Sequence, residues 1–204
     1  MGAEAQAAAG LPADLVGRIR ALHETPERGY HAWSHPQALL QLLGEVRGHL
    51  HDPLAVECAI LLHDAVYDPT RSDNERQSAA LAADLLAGLV PDATLARTLR
   101  LIEATERHEV PGGLTAKEAA DARVFLDLDL SILGADAEAF DAYEAGVRHE
   151  YRHIPDAAFR TGRADILARF LARDRLYLSD WGHDRFEAAA RANLARSLAK
   201  LRGG

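Results

Sequence analysis

The sequence predicts an all-α protein, read as one helical domain over residues 1–204 with residues 1–10 loosely ordered. Three observations predict it. Aromatic content is only 6%, while Ala and Leu abound, and this balance favours helix over sheet. Apolar residues recur at three- and four-residue spacings along most of the chain, and no segment sustains the two-residue alternation of a half-buried strand. There is also no internal repeat and no low-complexity linker. A length of 204 residues is enough to bury a core without disulfides or a structural metal.

The elements follow in order. Leu11 to about Leu22 reads as a first helix, with Leu15, Ile19 and Leu22 on one face. Ser34 is expected to cap the second helix, with Gln37 completing a capping box and Pro36 in the first turn. That helix carries Leu39, Leu40, Leu42, Leu43 and Val46. Pro53 opens a third, whose Leu54, Cys58, Ile60, Leu61 and Leu62 make a wide apolar face suited to a central position. Tyr67-Asp68-Pro69 is expected to end it, because the residue before proline resists helical angles.

A fourth helix starts in SDNERQ and runs to about Val90. Asp92 caps a fifth, with Leu95, Leu99 and Ile102 in register. Gly112-Gly113 is a loop. Thr115 and Glu118 form a second capping box. The next helix runs to Leu133, with Gly134 as its C′ residue. Phe140, Tyr143, Val147 and Tyr151 stripe the one after, and Pro155 breaks it. A short helix near Ile166 to Leu171 and a last one from about Asp184 to Leu201 complete the chain.

The formal charge of −8, from 23 basic and 31 acidic residues, repels polyanions and counts against long nucleic acids. It leaves room for a small phosphorylated substrate met by a local positive charge or a metal. The single cysteine, Cys58, has no partner for an intramolecular disulfide and lies in an apolar run, so it reads as a buried hydrophobe in a reducing compartment. MGAEAQAAAGLPADL has no basic n-region and no secretory h-region, and Gln6 stands where a myristoylation signal needs Ser or Thr. No apolar stretch is long enough to cross a bilayer. A cytoplasmic protein without a membrane partner is the expectation.

Four groups carry the chemistry: His31 with His35, the pair His63-Asp64, Asp127 with Asp129, and the looser set Asn74-Glu75 with His108. His63 and Asp64 follow Ile60-Leu61-Leu62 without a break. Left unpaired in a buried helix they would cost several kcal/mol, and a divalent cation satisfies both. The competing reading is a helix end emerging into solvent. Asp129, between Leu128 and Leu130, needs a partner for the same reason. Asp127, two residues away, faces another side. One of the two can bind metal while the other orients a histidine, and the choice stays open here. His35 sits at a helix start, a fixed place from which to aim a ligand. His31 precedes it and competes with a plain loop-packing histidine.

The pattern His…His-Asp…Asp over separated segments resembles the HD-domain superfamily of metal-dependent phosphohydrolases. The nearer resemblance is to a group of stand-alone bacterial HD proteins of similar length. Its motifs match Arg28-Gly29-Tyr30-His31-Ala32-Trp33-Ser34-His35, His63-Asp64-Ala65-Val66-Tyr67-Asp68, Asn74-Glu75-Arg76-Gln77-Ser78-Ala79 and the DLDLSILG run from Asp127 to Gly134. EYRHI, Gly162-Arg163 and ARANL extend the likeness over most of the chain. The resemblance implies an HD-type helical bundle with a metal between helices, held by His35, His63, Asp64 and Asp129. It also implies hydrolysis of a phosphate ester, for a small-molecule substrate class that includes nucleotides, with homodimerisation compatible.

On that reading Asp64 binds the metal and helps align water, Glu75 is the candidate for proton transfer or for holding a ligand in place, and His31 is a further catalytic candidate of open role. Glu75 also suits a helix first turn through the macrodipole alone. Arg28 and Arg163 are candidates for bidentate phosphate contact, against a plain surface role. His108 is a further ligand if two ions bind, or else ends a helix. Tyr30, Trp33 and Tyr67 are candidates to line a pocket, or core. Mixed nitrogen and oxygen ligation suits Mn, Fe, Co, Ni, Zn and also Mg. Two other readings compete: a di-iron oxygenase on the same fold, and a metal- or nucleotide-binding module without turnover.

Overall fold

A computed structural model describes residues 10–203, so the expectation for residues 1–10 falls, Gly10 apart, outside the described residues. The structure is all-α, with nine α-helices and no strand among the described residues. None of these helices is long and apolar enough to cross a membrane. The chain forms two compact units, one from residues 10–25 and His31–Phe125, the other from Pro26–Tyr30 and residues 126–203.

The first unit is organised around a helix with no polar face. α1 spans Ala13–His23, α2 Ser34–Val46, α3 Pro53–Leu62, α4 Asn74–Leu86 and α5 Asp92–Ala104. Every residue of α3 from Ala55 to Leu62 is buried, and α2, α4 and α5 all pack on it. Each large apolar side chain so buried contributes about 1.5–3 kcal/mol. Cys58 is one of the buried residues, and burial, with Glu57 and Asp52 adding to it, pushes its thiol up to about 12, as for an inert core residue. The Asp52 carboxylate caps the helix through the Ala55 N–H, with Pro53 at the first position. α6 spans Ala116–Asp129, opened by the expected Thr115–Glu118 capping box, in which the Thr115 N–H and hydroxyl both donate to Glu118.

The second unit follows. A 3-10 segment, Leu130–Gly134, leads to α7 (Ala137–Glu150), α8 (Asp156–Leu171) and α9 (Asp180–Arg202). α9 packs on α8 and on the 3-10 segment. Asn193 of α9 donates to the carbonyls of Leu133 and Ala135, which have no helical partner of their own.

Several boundaries differ from the sequence reading, each for a local reason. α1 buries His23 rather than Leu22, continuing the four-residue spacing from Leu15 and Ile19. Ser34 lies inside α2 and makes no capping bond; the residue before it, Trp33, already has helical angles. Asp92 is likewise a first-turn residue of α5, not its cap. α3 ends at Leu62 with His63 as C-cap, before Tyr67-Asp68-Pro69 is reached, because side chains satisfy its last carbonyls. α4 stops at Leu86, four residues before Val90, with Gly88 at φ +71°.

α6 gives way to the 3-10 segment at Asp129 instead of running to Leu133. Gly134 does not adopt the left-handed C′ conformation. It is small for another reason: a Cβ there would lie 2.9 Å from the Phe186 carbonyl oxygen. Pro155 does break α7, yet it also starts α8 at once, making that helix 16 residues long rather than a short turn near Ile166. α9 begins at Asp180, four residues early, because the Ser179 hydroxyl accepts from the Gly182 N–H.

Candidate metal centre

A helix leaves its last carbonyls without partners, and α3 ends deep in the core, where water cannot serve them. Its own sequence and α1 supply the partners. His63 donates its backbone N–H to Ala59, and its ring Nδ1 lies 3.0 Å from the Ile60 oxygen. His23 places Nε2 3.1 Å from the Leu61 oxygen, and the Ala65 N–H reaches Leu62. A carbonyl only accepts, so the hydrogen sits on Nδ1 of His63 and the neutral ring presents a bare Nε2.

That bare nitrogen meets two more electron-rich atoms. His63 Nε2 is 3.0 Å from Asp64 Oδ2 and 3.1 Å from His35 Nε2, and His35 Nε2 is 3.8 Å from Asp64 Oδ2. His35 and His63 are 5% and 2% exposed. A lone pair facing a carboxylate at hydrogen-bond distance is repulsive unless a proton or a cation lies between them. The three distances also define a point equidistant from all three atoms and about 2 Å from each, which is a metal–nitrogen or metal–oxygen bond length. The three side chains fit a divalent ion as a group. Burial pushes the Asp64 carboxyl up, but with protons on the imidazoles of His63, His31 and His35 their positive charge outweighs it and the net shift is downward, so in the absence of an ion a proton takes the cation's place.

The segments on either side of these donors are tied down. The loop after Asp64 is stapled to α4. Ser78, fully buried, accepts from the Val66 N–H and donates to the Val66 carbonyl, and Asn74 does the same for Asp68. Between those two, the Tyr67 ring stacks on His31, with centroids 4.1 Å apart and planes 25° apart. The His31 and His35 rings lie 6.3 Å apart, and Trp33 meets His23 edge-on at 5.9 Å.

The other candidates lie as follows. Glu75 is half-buried in the first turn of α4. His108 adopts φ +50° and donates its backbone N–H to Ala104, closing the turn that follows α5, whose C-cap is Thr105. Within the second unit, Arg163 is buried and bonded to Glu144 and to the Tyr143 hydroxyl. Tyr30 meets Tyr143 edge-on, and the Tyr30 and Gly29 N–H groups donate to Glu150. Arg28 is half-buried in the same short segment.

Asp127 is 1% exposed and accepts from the Leu178 and Ser179 N–H groups, at 2.6 and 2.7 Å, and from the Ser179 hydroxyl. It therefore secures the entry to α9. Burial pushes its carboxyl above the ordinary value, with Ser179 and Leu178 pulling the other way. Asp129 closes α6, half-buried.

The sequence reading overlooked His23, and it quoted Ser78 in the Asn74–Ala79 motif without giving it a role. Both had a signal. His23 completes the Leu15–Ile19 face of α1, where a polar residue is out of place. Ser78 lies four residues after Asn74 and four before buried Ala82, on the same face of α4. Comparison with protein-family profiles, with curated proteins and with solved structures finds no match for this chain.

Proposed function

We propose that this protein is a metal-dependent phosphohydrolase of the HD type, cleaving a phosphate ester of a small molecule, with nucleotides in the substrate class. The observation that carries the reading is the convergence of His35 Nε2, His63 Nε2 and Asp64 Oδ2, with the His63 tautomer set by the Ile60 carbonyl. Three electron-rich donors brought together at a buried helix end make sense as a cation site. Asp129 joins them as fourth ligand on the strength of the resemblance alone.

When bound, a divalent ion at such a site lowers the pKa of a coordinated water and offsets charge on phosphate oxygens. His35 and His63 supply neutral nitrogen donors, so Asp64 brings the negative charge among the three grouped donors. Asp64 is also the candidate to help align the water. Glu75 is the candidate to accept a proton, and Arg28 the candidate to contact phosphate. The negative charge of the chain disfavours polyanions and leaves the ion as the local attraction for a small phosphate.

The test is phosphate release from a panel that includes nucleoside monophosphates, with Mn, Fe, Co, Ni, Zn and Mg supplied in turn. Wild-type protein should turn over at least one ester in a metal-dependent way. His63→Ala and Asp64→Ala should each lose activity and metal while keeping their helical circular dichroism. Full metal retention in both variants would refute the site. His31, with its ring near His35, is the observation that favours the di-iron reading. Iron-dependent oxygen uptake without phosphate release would favour that reading. Metal or nucleotide binding without turnover of any substrate would favour the binding module.

A further inference from the structure

The metal-binding reading leaves one feature of the first unit without a task. A loop that follows a metal-ligand pair needs only to leave the site, yet residues 66–68 are fixed on both sides of Tyr67. Ser78 closes two hydrogen bonds on the backbone of Val66, at 3.0 and 3.1 Å, and Asn74 closes two on Asp68, at 3.0 and 2.9 Å. Asn74 and Ser78 are one helical turn apart on α4. Ala82 and Leu86 continue that spacing into the core, so the two staples stand on a buried face. The backbone carrying Tyr67 is thereby as fixed as α4 itself, which packs on both α3 and α5.

The ring so held stacks on His31. His31 stands four residues before His35, and Tyr67 three residues after Asp64. The stack is therefore a direct link between the segment that delivers His35 and the segment that delivers His63 and Asp64.

We infer that Tyr67 and His31 are positioning residues: their ring stack, anchored to α4 through Asn74 and Ser78, sets His35 at metal-binding distance from His63 and Asp64. The inference rests on the metal-binding reading above and adds to it the device that holds the donors in register. Losing a partner that orients a metal ligand typically costs about 10- to 100-fold in metal affinity, the scale expected here.

Cobalt(II) titration of the purified protein tests this, reading affinity and the visible d–d band, which reports coordination geometry without any substrate. Tyr67→Ala should weaken cobalt binding about 10- to 100-fold and alter the band, whereas Tyr67→Phe, which keeps the ring, should stay within about threefold of wild type. His31→Ala and His31→Phe should divide in the same way, and they serve if Tyr67→Ala fails to fold. Wild-type affinity with an unchanged band in a folded Ala variant would overturn the inference. So would a Phe variant as damaged as its Ala counterpart; for His31 that outcome would mark a nitrogen ligand rather than a stacking partner. Failure of the wild-type protein to bind cobalt would overturn the metal-binding reading together with this one.

Discussion

Two carboxylates, half-buried Asp64 in the first unit and buried Asp127 in the second, sit in similar apolar sequence and are treated in opposite ways by their surroundings. Asp127 is met by three donors, the N–H groups of Leu178 and Ser179 and the Ser179 hydroxyl. Asp64 is met by the bare Nε2 of His63, with His35 Nε2 close by. The first arrangement is electrostatically closed and can be understood as architecture. The second gathers two imidazole nitrogens and a carboxylate oxygen about one point, a set that a cation can complete. A buried polar cluster balanced by its own neighbours stabilises the fold, whereas one that is short of a cation points to something the chain binds.

The sharpest way to break this contrast is to remove the closed carboxylate. Asp127→Ala strands three part-buried donors, and urea denaturation should show a loss of about 3–5 kcal/mol. A loss under about 1 kcal/mol would mean that water replaces the carboxylate and the site is not closed. Next in size is the effect of a ligand on the open site. Manganese or cobalt at about 100 times its dissociation constant should stabilise the protein by about 2.7 kcal/mol, and His63→Ala should abolish the gain.

Gly182→Ala probes the closed site sterically. Its Cβ would lie 2.8 Å from the Asp127 Cγ, so a loss of about 1–3 kcal/mol is expected in thermal or urea unfolding.

The smallest effect concerns a half-buried carboxylate near the surface. Glu118 is held at about 2 by the Thr115 N–H and hydroxyl and by Arg97, against an ordinary 4.5. A carboxyl lowered in the folded state contributes stability above its unfolded value, and that contribution fades as pH falls from about 4.5 toward about 2. Glu118→Gln should flatten this part of the acid-unfolding profile without changing stability slopes nearer neutrality. An unchanged profile would assign the acid sensitivity elsewhere.

Much of this was legible in the residues themselves. The helical periodicity, the buried third helix opened by Pro53, and the Thr115–Glu118 box all read directly from local spacing. So did His63-Asp64 as an anomaly at the end of an apolar run. What could not be read was which anomaly is closed from afar. The donors that close Asp127 stand some fifty residues away, at Leu178 and Ser179, and nothing near Asp127 announces them. The same holds for Arg163, whose partners Glu144 and Tyr143 lie on another helix. Capping by Ser34 and Asp92 failed for a subtler reason: each helix starts one residue sooner than expected, so Trp33 and Pro91 hold the cap position and Ser34 and Asp92 fall in the first turn.

The measurement that bears most directly on the central claim is anomalous diffraction from crystals of the protein grown with manganese or zinc. A peak about 2 Å from His35 Nε2, His63 Nε2 and Asp64 Oδ2 is the predicted result. No peak among those three atoms at saturating metal, or one bound only at the surface, would contradict it.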